Sequence, residues 1–126
     1  MFQLDFKSGV PICDQIVNGF IKLKAIGALK GGDRLPSVRA LAAKFSVNPN
    51  TVQKSYAILE AEGVIYSVKG KGSFISDDEN AANAILQSAK NDFLAAVHHA
   101  VDLGLSTQEM ITLIKENFHE KGENQK

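Results

Sequence analysis

Two carboxamides one turn apart, Asn50 and Gln53, stand in a stretch where Val52, Tyr56 and Leu59 recur at intervals of four and three. In a helix that spacing buries the apolar side chains on one face and turns Asn50, Gln53, Lys54 and Ala57 outward. A carboxamide carries a donor and an acceptor side by side, so either one can pair in bidentate fashion with the N6/N7 edge of adenine in a major groove. Arg39 has the planar fork that suits guanine O6/N7 or a phosphate oxygen. Lys54, Lys69 and Lys71 add charge, the last two within the run Lys69-Gly70-Lys71-Gly72. Thr51 falls in the first turn of its helix, where free N–H groups and the helix dipole favour a phosphate oxygen. Together these residues offer recognition of a polyanion: phosphate contacts that dock a surface and base contacts that specify sequence.

The elements that must position them follow from punctuation and period. Ser37 is a good N-cap for a helix in which Val38, Leu41, Ala42 and Phe45 share a side, leaving Arg39 on another. Ser46-Val47 makes a tight turn, and Asn48 followed by Pro49 reads as an N-cap with proline at the first helical position. Gly63 ends that helix. Val64–Val68 and Ser73–Ile75 read as two strands joined by the lysine and glycine turn. Upstream, Phe2, Leu4 and Phe6 alternate with polar residues as in a short strand or extended arm with one buried face. Pro11 then opens a helix whose Ile12, Ile16, Phe20 and Leu23 form an apolar stripe, ended by Gly27 and Gly31-Gly32. Taken singly, Ser37 and Asn48 are caps and the lysine turn is a charged hairpin. Their order, helix, turn, helix and basic hairpin, spells a winged helix-turn-helix whose second helix enters the major groove.

Composition bounds the alternatives. The 126 residues, 44% hydrophobic, suffice for one domain and a short appendage. Net charge is zero, yet residues 1–76 hold ten Lys/Arg against five Asp/Glu and residues 77–126 hold four against nine. The first half, at +5, suits a polyanion and the second, at −5, does not. No run of about 18 apolar residues could span a bilayer, and the N-terminus lacks the blocks of a signal peptide, so the expected location is the cytoplasm. Cys13 stands alone and reads as a packing residue of a helix face. Of the only plausible metal ligands, His98, His99, Asp102 and His119, the adjacent histidines point about 100° apart on a helix and would not chelate together. No nucleophile with a base, phosphate loop or motif-placed carboxylate pair argues for an enzyme. No catalytic residue, metal or cofactor is expected. The competing class is a winged module that binds protein alone.

In the tail, Leu86, Ala89, Phe93, Ala96, Ala100 and Leu103 alternate steps of three and four, the seam of a helix that packs on another helix. Gly104 ends it, and Ser106 with Glu109 forms a capping box for a last helix with Met110, Ile111, Ile114 and Phe118 on its apolar face. Two such helices cannot bury both faces alone, so they are expected to pair with those of a second chain in a C2 dimer, the alternative being packing on their own winged domain. Dimerisation would place two recognition helices on half-sites about 34 Å, or a multiple of that, apart and make the operator palindromic. Residues Glu120 to Lys126 are expected to fray.

Several segments closely resemble the GntR superfamily of bacterial transcription regulators: Pro11-Ile12 with Gln15-Ile16, Gly32 to Ala42, Asn48 to Tyr56, Leu59 to Gly63, and Gly70 to Phe74. The Asn-Pro-Asn-Thr-Val-Gln segment and a tail of only fifty residues resemble its YtrA-type subfamily in particular. The resemblance implies an operator-binding homodimer, often a repressor of its own operon and of adjacent transporter genes. Carried over by position, it implies DNA contacts at Ser37, Arg39, Asn48, Asn50, Thr51, Gln53 and Gly70 with its lysine neighbours. Two departures stand out. Fatty-acid-responsive relatives carry arginines where this chain has Pro49 and Gln53, and Cys13 occupies a position commonly tyrosine. Larger relatives add an effector-binding domain, whereas 52 residues follow Phe74 here; no residue argues for a small-molecule effector, whose existence stays unknown. The expected fold is mainly α with a small β wing, comprising a winged helix-turn-helix DNA-binding domain at residues 1–76 and a two-helix dimerisation tail at 77–126.

Overall fold

The computed structural model of the chain describes residues 1–118; His119 and the segment Glu120 to Lys126, expected to fray, lie outside them. Seven elements follow in order: α1 (Ile12–Ala25), α2 (Val38–Phe45), α3 (Pro49–Ala61), β1 (Ile65–Val68), β2 (Gly72–Ile75), α4 (Glu79–Asp102) and α5 (Thr107–Asn117). Among the described residues, five helices and one antiparallel hairpin make the fold mainly α with a β wing. The chain divides into two compact units, Met1–Ile85 and Leu86–Lys126, and the division falls inside α4.

In the first unit, α1 and α2 both pack on α3. The stripe predicted on α1 lies inward, with Ile16 and Phe20 fully buried. Leu41 of α2, Val52 and Leu59 of α3, Val64, and the paired Ile65 and Ile75 of the hairpin complete the core. Phe20 is held edge-on between Phe2, at 5.1 Å, and Tyr56, at 5.8 Å between ring centroids, the T-shaped geometry that ring quadrupoles favour. Lys24, in the last turn of α1, donates through Nζ to the Ser76 and Asp78 carbonyls, which fastens the segment after β2 to the first helix.

The N-terminal segment departs from the alternation read in sequence. Phe2 and Leu4 are half-buried against the core, but residues 1–6 form no strand and Phe6 is exposed. The reason is local. The Gln15 carboxamide accepts from the Asp5 N–H at 2.7 Å and donates to the Asp5 and Val10 carbonyls at 2.8 and 2.9 Å. Its amide also lies 3.1 Å from Ser8 Oγ, so the chain is gathered into a turn that carries Phe6 away from the core. A second departure lies at the hairpin, where Gly32–Leu35 lies along the free edge of β2, with Arg34 opposite Phe74.

In the second unit, the remainder of α4 ends at Asp102, two residues before the positive-φ Gly104, and the predicted capping box opens α5. Ser106 Oγ accepts from the Glu109 N–H, and the Glu109 carboxylate accepts from the Ser106 N–H, both at 3.1 Å. Helix α4 starts at Glu79, earlier than the seam beginning at Leu86 suggested, because Ala82 and Ile85 pack in the first unit. Among the described residues 86–118 none is buried. Leu86, Phe93, Leu103, Ile111 and Ile114 are all exposed.

Candidate nucleic-acid interface

The outward face is built by two side-chain caps and one buried stripe. Ser37 Oγ accepts from the Ala40 N–H at 3.1 Å and starts α2, which leaves Arg39 exposed on its first turn. The α2–α3 connection needs only three residues, Ser46, Val47 and Asn48, because Ser46 takes up a left-handed conformation with φ 55°. Few residues other than glycine and asparagine adopt that region readily. Asn48 Oδ1 then accepts from the Asn50 N–H at 2.8 Å and starts α3, with Pro49 at its first position.

Within α3, Val52, Ser55, Tyr56 and Leu59 are buried. By helical geometry Asn50, Gln53, Lys54 and Ala57 are left facing out, and all four are exposed. The buried Ser55 hydroxyl lies 3.0 Å from the Thr51 carbonyl and 3.1 Å from the Cys13 carbonyl of α1, so its single proton is shared between the two helices at the inner face. Tyr56 Oη donates to the Pro36 carbonyl at 2.6 Å, tying α3 to the residue that precedes the α2 cap. Burial pushes this phenol well above the ordinary tyrosine range.

One expectation at the start of α3 changes. The Thr51 N–H is not free for a phosphate, because it donates to the Asn48 carbonyl at 3.0 Å, while the Asn50 N–H is taken by the Asn48 cap. Proline has no N–H to offer at the position before. Thr51 itself is only half-exposed. What remains for an anion at this end is the dipole and the side chains.

The wing brings Lys69, Gly70 and Lys71 to an exposed tip. The Lys71 N–H donates to the Val68 carbonyl at 2.9 Å, closing a four-residue turn whose third position, Gly70, has φ 78°. A glycine is favoured there because a side chain would be strained. The hairpin is tied to the end of α3 by a network that periodicity did not reveal. Ser67 Oγ donates to Glu60 Oε1 at 3.1 Å and lies 3.3 Å from Ser73 Oγ, its cross-strand partner. The only trace of it in sequence is a pair of serines at matching strand positions.

Cys13 is half-buried, with its sulfur 3.4 Å from Ser55 Oγ at the α1–α3 contact. Among the described residues no group of three or more His, Cys, Asp or Glu is arranged to hold a metal, and no helix is long and apolar enough to cross a membrane.

The arrangement is shared with known proteins. Residues 25–75 match the family of bacterial regulatory proteins known as gntR. The HTH-type transcriptional repressor YtrA of Bacillus subtilis is 45% identical over 87 residues, which are 69% of this chain and 65% of that protein. The HTH-type transcriptional regulator YhcF of the same organism is 34% identical over 118 residues, 93% of this chain and 97% of its own length. A solved GntR family transcriptional regulator from Listeria monocytogenes superposes with a TM-score of 0.72 at 32% identity, over 90% of this chain and all of that one. Match, likeness and wing together establish that the chain belongs to the GntR family of transcription regulators, with a DNA-binding winged helix and homology to YtrA.

Proposed function

We propose that the chain is a sequence-specific repressor that acts in the cytoplasm as a homodimer on a palindromic operator. Residues 1–76 would form the DNA-binding domain and residues 77–126 the dimerisation tail. The observation that carries the reading is the outward face of α3, where Asn50 and Gln53 stand exposed one turn apart beside Lys54. Asn50 and Gln53 read adenine edges, Arg39 reads guanine or holds a phosphate, and Lys54, Lys69 and Lys71 neutralise backbone charge. Ser37, Asn48 and Thr51 shape the approach, Ser37 and Asn48 as caps that also carry polar groups to the DNA side. Gly70 lets the wing backbone come close.

Support for the dimer comes from the second unit, whose exposed Leu86, Phe93 and Leu103 share the heptad seam with Ala89, Ala96 and Ala100, and whose α5 exposes Ile111 and Ile114. Helices patterned in this way gain stability by covering their apolar faces against a second copy. The relative YtrA is named a transcriptional repressor, which favours repression over activation.

Selection of bound duplexes from a random DNA pool by the purified chain tests the reading. Enrichment of an inverted repeat with half-sites spaced by one helical turn, about 34 Å, or a multiple is expected. Recovery of no common sequence would refute it.

A further inference from the structure

A third cation reaches the wing turn from outside the hairpin. The segment Gly32–Leu35 is hydrogen-bonded along β2: the Gly32 N–H donates to the Ile75 carbonyl, the Ile75 N–H to the Asp33 carbonyl and the Leu35 N–H to the Ser73 carbonyl, each at 2.8 Å. Arg34 is thereby set opposite Phe74 in antiparallel register. Directly opposed residues share a face of a sheet, so Arg34 lies on the side where the rings of Phe74 and Tyr66 stack at 5.6 Å. Two residues from Phe74 toward the tip, the same face presents Gly72.

The Arg34 side chain runs to that glycine. A Cβ built on Gly72 would meet Arg34 Nε at 3.1 Å and Nη2 at 3.3 Å. The guanidinium thus rests on bare backbone at the end of the turn that carries Lys69 and Lys71, and Arg34 is exposed. Residues 64–75 contain no acidic side chain, and the neighbouring Asp33 carboxylate is engaged by the Lys30 N–H at 2.8 Å. Like charges gathered on one turn repel each other unless an anion lies between them. A guanidinium carried on a backbone held by strand pairing also has the fork that grips a phosphate in bidentate fashion.

We propose that Arg34 contacts the DNA backbone and completes, with Lys69 and Lys71, a three-cation phosphate grip at the wing. The inference rests on the DNA-binding reading above and assigns it a further residue. Fluorescence anisotropy of the full chain on a labelled random-sequence duplex, titrated from about 50 to about 200 mM salt, tests it with wild type, Arg34→Gln and Arg34→Lys. For Arg34→Gln we expect weaker binding and a log–log salt slope shallower by about one for each protomer on the duplex, with an unchanged thermal midpoint. Arg34→Lys should recover the slope while binding less tightly than wild type, because it keeps the charge and loses the fork. A wild-type slope in Arg34→Gln, with or without a lower midpoint, would reduce Arg34 to a buttress of the hairpin and overturn the proposal. So would failure of Arg34→Lys to restore the slope. If the wild-type chain itself shows no salt-dependent binding, the DNA-binding reading fails and takes this inference with it.

Discussion

Replacing Tyr56 by phenylalanine removes one oxygen and leaves the ring on Phe20. The deleted hydroxyl donates to the Pro36 carbonyl at 2.6 Å from a side chain only 5% exposed. A hydrogen bond of this kind contributes about 1 kcal/mol net, and the carbonyl left without its donor raises the expected loss to about 1–2 kcal/mol. Each kcal/mol lowers the midpoint of a domain this size by roughly 4–8 °C. The pH dependence gives a second signature. The folded-state phenol is raised above its ordinary value, so above about pH 10 the unfolded chain releases a proton that the folded chain keeps. Stability from this group is therefore complete below about pH 10 and falls by about 1.4 kcal/mol per pH unit beyond it. Phenylalanine has no such dependence, and the gap between the two proteins should close near about pH 11. Urea unfolding at pH 7 and at pH 10 to 11, at fixed protomer concentration, measures both effects. A Tyr56→Phe protein within about 0.3 kcal/mol of wild type at pH 7, with an unaltered alkaline slope, would refute the claim that this bond holds α3 to the entrance of α2.

Three further outcomes are expected. The double change Asn50→Ala and Gln53→Ala should abolish preference for selected over random duplexes, at about 1–3 kcal/mol for each bidentate pair removed, while the salt slope stays put; retained preference in competition binding would move base reading elsewhere. Lys69→Ala and Lys71→Ala should weaken binding on every duplex alike and each make the salt slope shallower by about one for every phosphate that the lysine neutralises, as anisotropy titrations would reveal. Phe93→Glu should turn a dimer into a monomer in sedimentation at micromolar concentration. Losing the burial of this ring on both copies costs on the order of a hundredfold or more in association; an intact dimer would show that the seam lies on another face.

Much of the first unit was readable because its signals are local. Val52, Tyr56 and Leu59 repeat at helical spacing, so the outward position of Asn50 and Gln53 followed from a period, and the caps at Ser37 and Asn48 from residue type. What escaped depends on partners remote in sequence or on one side chain overruling a pattern. The edge pairing of Gly32–Leu35 joins segments some forty residues apart, and no periodicity marks it. Phe6 obeyed the strand alternation, but the Gln15 carboxamide satisfies several backbone groups of the turn and prevails. The general rule for helix starts gives Thr51 a free N–H, whereas in the fold the Asn48 carbonyl accepts from it.

The two capped helix starts, at Ser37 and Asn48, carry a thermodynamic consequence. Each holds its first turn with its own side chain and needs no nucleic acid to order it. On the proposed reading, the start of each helix is thus ordered before it meets a duplex, and association at these helices would freeze chiefly long side chains such as Gln53 and Lys54. Calorimetry should accordingly find a heat-capacity decrement in proportion to the surface that is covered, without the larger increment of a segment that folds on arrival.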